Sequence, residues 1–323
     1  MTERLTIWAV SDGRAGIENQ VLGLAEAIQR LTAADITVKR IRYRPVFDWL
    51  PVALKIAPNA MLAPDSDSVA APYPDIWIAA GRATLPHSMR MRQRSHGRTM
   101  VVQLQDPHAA TGAFDLVIAP QHDGLAGGNV LSLVGSTNRV TLGRLHAEGA
   151  AFAGLLAGRQ RPFVTALIGG NSRSHALSAE RARALAGQMR TAVEASGGTL
   201  LLTFSRRTPG DARHILTETL QDLPAVIHDG SGSNPYFAFL DAADYILVTE
   251  DSVNMAVEAA TTGKPVYILG LDSRRPASKF ARFHQGLRDS GIARPFEGRL
   301  DSWTYAPLDE TTRAAEAVLK ARS

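Results

Sequence analysis

Short apolar runs alternate with amphipathic segments along most of the chain. Leu5–Val10 is apolar enough for a buried strand, and the segment after it repeats apolar residues at helical spacing, at Val21, Leu24, Ala25 and Ile28. The same alternation continues through both halves of the sequence. Further strands are predicted at 36–41, near 75, 100, 115 and 130, and at 163–168, 199–204, 225–228, 245–248 and 265–269.

Strands that alternate with helices form parallel sheets through right-handed crossovers. The sequence therefore predicts an α/β protein with two doubly wound, Rossmann-like parallel-sheet domains that face a cleft. The polar stretch Arg159–Pro162 separates two similar patterns, which places the domains at 1–158 and 159–323. The last helix, 309–322, could also pack back on the N-terminal domain. Residues 43–72 carry five prolines and are predicted to be irregular, with one short helix.

Composition narrows the class of protein. The chain has 323 residues, 45% of them hydrophobic and 20% charged, which is ordinary for a globular protein. It has no cysteine, which excludes disulfides and thiolate catalysis. The net charge of +4 is spread along the chain, so no nucleic-acid partner is expected, and contact with anionic lipid stays open. Neither a signal peptide nor a membrane span is expected, which predicts a cytoplasmic protein or one peripheral on the inner membrane.

The loops that follow the predicted strands are polar and rich in glycine. In open parallel sheets, ligands bind beyond the carboxyl ends of the strands, near helix N-termini. One such loop is Gly169, Gly170, Asn171 and Ser172, where glycines would let the backbone approach a phosphate and free amides could donate to it. An ordinary tight turn with a helix cap would have the same sequence.

A second loop carries two cations. Ser205, Arg206 and Arg207 follow the strand 199–204, and arginine can grip a diphosphate with two parallel hydrogen bonds. The alternative is a solvated charge pair at the sheet edge. The two interpretations predict different environments for the guanidinium groups.

The segment that begins at Asp251 combines a helix cap with an isolated acid. Asp251 and Ser252 stand where an N-cap belongs, and Asn254 adds another polar group. Capping accounts for one or two of these residues. Glu258 lies seven residues after Asp251, about two helical turns, on a helix that is otherwise mostly apolar. Such an acid is expected to have a partner, and a ribose diol would suit it.

Asp12 and Arg14 lie in the first loop of the N-terminal half and are predicted to face those groups across the cleft. An aspartate beside a neutral hydroxyl can serve as a general base, whereas an Asx-turn next to Gly13 is the structural alternative.

The nine histidines are scattered without ligand spacing, so no metal is expected. The sequence also lacks a P-loop, a Gly-x-Gly-x-x-Gly fingerprint and a Gly-x-Ser-x-Gly elbow.

Motifs in both halves resemble the mitochondrial-fission family named after the elongated-mitochondria plant protein. They are "SDGRAGIENQVLGLAEAI", "VVQLQDP", "DLVIAPQHDG", "LIGGNSR", "FSRRTP" and "VTEDSVNMAVEAATTGKPVYIL". The resemblance implies the two-domain GT-B architecture of glycosyltransferases, with the nucleotide sugar in the C-terminal domain and the acceptor beside the N-terminal one. It implies a ribose contact for Glu258 followed by Gly263–Pro265, and a diphosphate or sugar contact for Asp251, Ser252 and Asn254. It places the base at Asp12.

The resulting hypothesis is a metal-independent glycosyltransferase without a cofactor. Its substrates would be a nucleoside-diphosphate sugar and a cell-envelope glycan or lipid-linked acceptor. A nucleotide-sugar epimerase on the same scaffold is the alternative enzyme. The third possibility is a non-catalytic adaptor, because the plant member of the family is known as a fission factor that recruits a dynamin-like protein.

Overall fold

The computed structural model describes residues 4–274 and 279–322. The strands are β1 (Leu5–Ser11), β2 (Ala34–Arg40), β3 (Ile76–Ala80), β4 (Met100–Leu104), β5 (Leu116–Pro120), β6 (Val130–Leu133), β7 (Phe163–Ile168), β8 (His175–Ala176), β9 (Thr199–Phe204), β10 (Ala225–His228), β11 (Tyr245–Thr249), β12 (Val266–Leu269), β13 (Asp272–Ser273) and β14 (Ala293–Pro295).

Helices follow most of these strands. They are α1 (Ala15–Leu31), α2 (Pro45–Asp48), α3 (Leu85–Arg94), α4 (Leu142–Ala151), α5 (Ala153–Leu156), α6 (Ala179–Ser196), α7 (Gly210–Leu220), α8 (Tyr236–Ala242), α9 (Val253–Thr261), α10 (Lys279–Asp289) and α11 (Glu310–Arg322). Single 3₁₀ turns lie at Val52–Leu54, Thr111–Ala113 and Gln121–Asp123.

The first domain is built on a six-stranded parallel sheet in the order β2-β1-β3-β4-β5-β6. Both faces of β1 are covered, because Ile7 and Ala9 pack into one core and Val10 into another. Burial on both faces explains the continuous apolar runs seen in the sequence. The chain order reverses between β1 and β3, which makes their carboxyl ends the switch point of this sheet.

The second domain repeats the design with the strand order β10-β9-β7-β11-β12-β14, and all its pairings are parallel. Counted within the domain, this is the Rossmann order 3-2-1-4-5-6. The switch point lies between β7 and β11. The short strands β8 and β13 form a separate antiparallel pair. The predicted class, an α/β protein with two parallel-sheet, Rossmann-like domains, is confirmed.

Two compact units share the chain: residues 1–139 with 309–323, and residues 140–308. The division therefore comes after Arg139, whereas the polar stretch in the sequence suggested residues 158 and 159. The physical reason is that α4 packs against α8 of the second unit. Helix α11 packs on α1, and its Ala314, Ala315 and Val318 are buried in the core of the first unit.

Residues 43–72 of the first unit contain α2 and one 3₁₀ turn, and are otherwise irregular. Tyr43 and Val69 anchor this stretch in the core, and the Tyr43 hydroxyl donates to the Ala83 carbonyl at 3.1 Å. In the part of the chain that the structure describes, no helix is both long enough and apolar enough to cross a membrane.

Candidate nucleotide-sugar site

Most of the predicted site residues of the second domain lie in the loops after β7, β9 and β11, beside the switch point of its sheet. Strands β7 and β11 are neighbours, so the loops after them lie side by side. The Gly169 amide donates to Thr249 Oγ1 at 2.7 Å, and the Gly170 amide donates to Asp251 Oδ2 at 3.1 Å. Residues separated by about eighty positions in the chain thus form one surface.

Asp251 holds this surface together. Its side chain is fully buried and accepts hydrogen bonds from Thr249 Oγ1 at 2.7 Å and from the Gly170 amide. It also forms an ion pair with Arg207 Nη2 at 2.6 Å. Burial raises the pKa of the Asp251 carboxyl, although Arg207, Thr249 and Gly170 act in the opposite direction. Asp251 therefore joins the loops after β7, β9 and β11.

The two glycines are required by close packing. A Cβ on Gly169 would lie 2.0 Å from Asp251 Oδ1, and a Cβ on Gly170 would lie 2.3 Å from the Arg207 carbonyl oxygen. The absence of a Cβ at the two glycines lets Asp251 and the Arg207 carbonyl pack against the backbone. The sequence had suggested instead that the glycines allow a phosphate to approach.

The amides of this loop are also occupied, which corrects the expectation of free donors. The amides of Gly169 and Gly170 are bound as described, the Asn171 amide donates to the Arg207 carbonyl at 3.1 Å, and the Ser172 amide donates to the His175 carbonyl at 2.9 Å. The side-chain oxygen of Asn171 accepts from the Leu177 amide, and that of Ser172 from the His175 amide. These residues build the loop, and we do not assign their amides to a ligand.

The two adjacent arginines have different environments. Arg207 is committed to Asp251, and its amide donates to Ser205 Oγ at 3.1 Å. Arg206 is exposed and has no partner among the described residues. An unpaired guanidinium at the carboxyl end of a central strand is available to bind an anionic group. Arg206 is thus the cation of this loop that could bind a diphosphate.

Helix α9 begins beside these groups. Ser252 is its N-cap, and its hydroxyl accepts from the Met255 amide at 3.3 Å. Asn254 lies in the first turn and is half-buried. The N-terminal end of a helix carries a partial positive charge that favours a nearby anion. The capping interpretation of Ser252 is confirmed. Asp251, the residue before this cap, forms an ion pair with Arg207 and so connects the N-terminal end of α9 to the loop that carries Arg206.

Glu258 lies further along α9 and is buried, with 6% of its surface exposed. Burial raises the pKa of its carboxyl from 4.5 to about 7, and a hydrogen bond from Tyr236 opposes that rise. The Tyr236 hydroxyl donates to Glu258 Oε2, and burial together with the Glu258 charge raises the pKa of that phenol. The partner that the sequence required for this acid is therefore a tyrosine of α8.

Tyr236 was not predicted as a site residue, because no motif in the sequence around it indicates a function. It begins α8, after the loop that follows β10. A cavity of about 500 Å³ adjoins this region and is lined by His228, Asp229 and Pro235, among others. The Tyr236–Glu258 pair becomes evident only in the fold, where α8 brings the tyrosine to the glutamate of α9.

The raised pKa of Glu258 predicts a specific pH dependence of stability. Folded Glu258 holds its proton up to about pH 7, while the unfolded chain releases it near pH 4.5. The free energy of unfolding should therefore fall as the pH rises through this window, by at most about 3 kcal/mol. Urea unfolding at several pH values measures the effect. A Glu258→Gln protein should lack this pH dependence of the free energy of unfolding. Glu218→Gln, at an exposed position of α7, should retain it.

Glu250 and two histidines complete the edge of the site. The Leu271 amide donates to Glu250 Oε1 at 2.6 Å, and the Glu250 carbonyl oxygen lies 2.8 Å from His284 Nε2. His175 Nε2 lies 3.7 Å from Glu250 Oε1, and its ring meets Phe280 edge-on. In the sequence these histidines stood isolated, because only the fold brings them to the same acid.

In the first domain, Asp12 and Arg14 lie at the switch point between β1 and β3. The Asp12 carboxylate accepts from the Arg14 amide at 3.1 Å and from Arg14 Nε at 2.8 Å, so the two residues form an ion pair. A Cβ on Gly81, the residue after β3, would lie 3.4 Å from Asp12 Oδ2. The carboxylate therefore lies beside the end of β3, with Arg14 as its partner.

Among residues 4–274 and 279–322, no group of three or more acids or histidines is arranged to hold a metal ion.

Comparison with known proteins identifies relatives along the whole chain. The family described as Mitochondrial fission ELM1 matches residues 15–322. The mitochondrial fission protein ELM1 of Arabidopsis thaliana is 30% identical over 76% of this chain, which spans 63% of the plant protein's length. An uncharacterized protein of Rickettsia prowazekii (strain Madrid E) is 25% identical over 97% of this chain and 98% of its own.

Solved structures of similar fold include a UDP-GlcNAc 2-epimerase and MurG. The UDP-GlcNAc 2-epimerase of Methanocaldococcus jannaschii matches with a TM-score of 0.60 and 12% identity, over 98% of this chain and 99% of that chain. MurG of Acinetobacter baumannii matches with a TM-score of 0.50 and 13% identity, over 98% and 94%. At such identities the likeness establishes the fold, which is the two-domain GT-B architecture.

Proposed function

The chain belongs to the mitochondrial fission ELM1 family, and from this premise and its GT-B fold we propose that it is a glycosyltransferase. It would bind a nucleoside-diphosphate sugar in its second domain and transfer the sugar to a cell-envelope or lipid-linked acceptor. The observation that carries the proposal is the N-terminus of α9 at the switch point of the second sheet, with Arg206 in the loop after β9, next to β7, and Glu258 further along α9.

Each part of the donor has a suitable group in this arrangement. Arg206 is a free cation for the diphosphate, and the partial charge of the α9 N-terminus acts in the same direction. Glu258 and Tyr236 are the partners proposed for the ribose diol, which would share or replace the hydrogen bond between them. Asp251 positions Arg207 and the glycine loop, so its role is to hold the site in shape.

The proposed chemistry adds Asp12 of the first domain as the general base. The acceptor hydroxyl attacks the anomeric carbon of the sugar, the bond from that carbon to the diphosphate oxygen breaks, and the proton of the hydroxyl passes to the Asp12 carboxylate. Negative charge accumulates on the leaving diphosphate, where Arg206 stabilises it. Transfer by this route requires neither a metal nor a cofactor.

A thermal-shift panel of nucleoside diphosphates tests donor binding. A ligand present at about 100 times its dissociation constant should add roughly 2.7 kcal/mol to the free energy of unfolding. Arg206→Gln should weaken that affinity about tenfold, because it removes a charge-assisted hydrogen bond from an exposed position. Arg183→Gln, at an exposed position of α6, is the matched control.

The panel also separates the alternatives. Stabilisation by none of the nucleotides would favour a non-catalytic adaptor and overturn the proposal. The fold likeness to a 2-epimerase gives the other alternative a basis, since that enzyme shares the architecture. Release of nucleoside diphosphate only when an acceptor is present would support transfer, whereas conversion of the sugar without an acceptor would support epimerisation.

A further inference from the structure

The first domain exposes an apolar segment. Nine large hydrophobic side chains are exposed in the described part of the chain, and four of them fall within residues 46–56. They are Val46, Trp49, Leu54 and Ile56, with exposed fractions of 61%, 74%, 57% and 73%. Single exposed apolar residues are normal, but such a concentration on one short stretch marks an interaction surface.

A cationic helix packs beside this segment. Helix α3 lies against the 3₁₀ turn Val52–Leu54, and Arg94 of α3 donates to Asn59 Oδ1 at 3.0 Å. Residues 82–98 contain five arginines and no acidic residue. The apolar segment is thus bordered by positive charge, which is the composition of surfaces that dock on anionic lipid.

A cavity of about 720 Å³ opens between the two features. Val52 and Ala53 of the apolar segment line one part of it, and Arg82 and Arg90 line another. Arg82 has no partner among the described residues, and Arg90 donates to the Pro86 carbonyl alone. Both guanidinium groups therefore remain available to an anion.

The rim of this cavity is built from constrained backbone. Gln105 and His108 both line it, with φ values of 68° and 48°. Left-handed backbone at residues other than glycine costs energy and concentrates at functional sites. The cavity lies in the first domain, and Gly81, beside the Asp12 carboxylate, is part of its lining.

We propose that residues 45–56 and α3 form a docking surface for an anionic lipid membrane, and that Arg82 and Arg90 bind the phosphate of a lipid headgroup. Trp49 would lie at the level of the headgroups, where tryptophan is favoured, and Ile56 would enter the acyl boundary. Arginine matches phosphate with two parallel hydrogen bonds. The inference concerns a lipid surface and the first domain, and it does not depend on nucleotide binding.

Vesicle flotation tests the apolar contribution. The full chain should float with vesicles that mix phosphatidylcholine and phosphatidylglycerol, and much less with phosphatidylcholine alone. Trp49→Ser combined with Ile56→Ser should weaken binding to the mixed vesicles by about tenfold or more. Leu142→Ser, at a leucine of the second domain that is 71% exposed, is the control and should bind as the parent does.

Charge variants test the headgroup contact. Arg82→Gln and Arg90→Gln should each reduce partitioning into the mixed vesicles about fivefold, and salt should reduce it further. Arg183→Gln should have a smaller effect, because that arginine lies on α6 of the second domain. Equal effects of all three arginine changes would show that net charge alone acts, and would overturn the headgroup assignment.

Tryptophan fluorescence provides a second readout. Trp49 is 74% exposed, so its emission should shift to the blue and be quenched by brominated lipid when the mixed vesicles are added. Trp49→Phe should remove that response. Absence of flotation and of quenching would overturn the proposal. Thermal shifts with nucleoside diphosphates on the same variants keep this failure distinct from a failure of donor binding.

Discussion

An Asp12→Asn protein is expected to bind nucleoside diphosphate as the parent does and to transfer sugar about 10²–10⁴-fold more slowly. Asparagine keeps the size of the side chain, and its single carbonyl oxygen can still accept one of the two hydrogen bonds that Arg14 donates to Asp12. It cannot accept the proton of the attacking hydroxyl at neutral pH. Release of nucleoside diphosphate in the presence of a membrane lipid extract as acceptor measures the loss.

A matched ion pair controls for charge. Asp65 also pairs with an arginine, Arg42, at 2.7 Å on the first domain, but it belongs to the irregular stretch 43–72 and not to the loop after β1. Asp65→Asn should therefore leave transfer unchanged. Arg14→Gln keeps the carboxylate and removes its partner, so it should slow transfer less than Asp12→Asn does. Equal rates for Asp12→Asn and Asp65→Asn would exclude Asp12 as the base.

Much of the fold could be predicted because both sheets are parallel and buried on both faces. Burial makes each central strand a continuous apolar run, and the crossover helices bear regular apolar stripes such as Val21, Leu24, Ala25 and Ile28 of α1. Strand β14 and helix α10 lacked such signals. Strand β14 is a three-residue edge strand with two exposed positions, and α10 buries only Phe283, His284 and Leu287.

The candidate site could be predicted only to the level of loops. The rule that ligands lie at the carboxyl ends of strands selected loops of the second sheet that lie together, since β7 and β11 bring Gly169 and Asp251 into contact. It could not distinguish Arg206 from Arg207, since adjacent residues of equal chemistry differ only in which one reaches Asp251. The hydrogen bonds of the loop amides could not be predicted either, because Thr249, Asp251 and Arg207, which accept three of them, are distant in the sequence.

The Glu258–Tyr236 pair illustrates the remaining difficulty. The sequence showed that Glu258 needed a partner, because α9 is otherwise apolar, and the structure supplies one from α8. A tyrosine that satisfies a buried acid also stabilises the empty protein. A nucleotide would therefore have to share or replace this hydrogen bond, which ties donor binding to the protonation of Glu258 near pH 7.

Replacement of Gly170 by alanine should have the largest effect on stability. A Cβ there would lie 2.3 Å from the Arg207 carbonyl oxygen and 2.7 Å from Thr208 Cα, which are backbone atoms. The Arg207 carbonyl cannot move away easily, because it accepts the Asn171 amide. Gly170→Ala should reduce the free energy of unfolding by about 4 kcal/mol, a large part of a typical total of 5–15 kcal/mol.

Denaturant unfolding compares this protein with Gly187→Ala. Gly187 lies in the exposed middle of α6, where an added Cβ meets no atom within 4 Å. Alanine there should stabilise the protein by up to about 1 kcal/mol, because it favours the helix. If Gly170→Ala were as stable as this control, the loops after β7 and β9 would have to move apart freely. The site would then lack the rigid frame in which Asp251 fixes Arg207 and leaves Arg206 to the ligand.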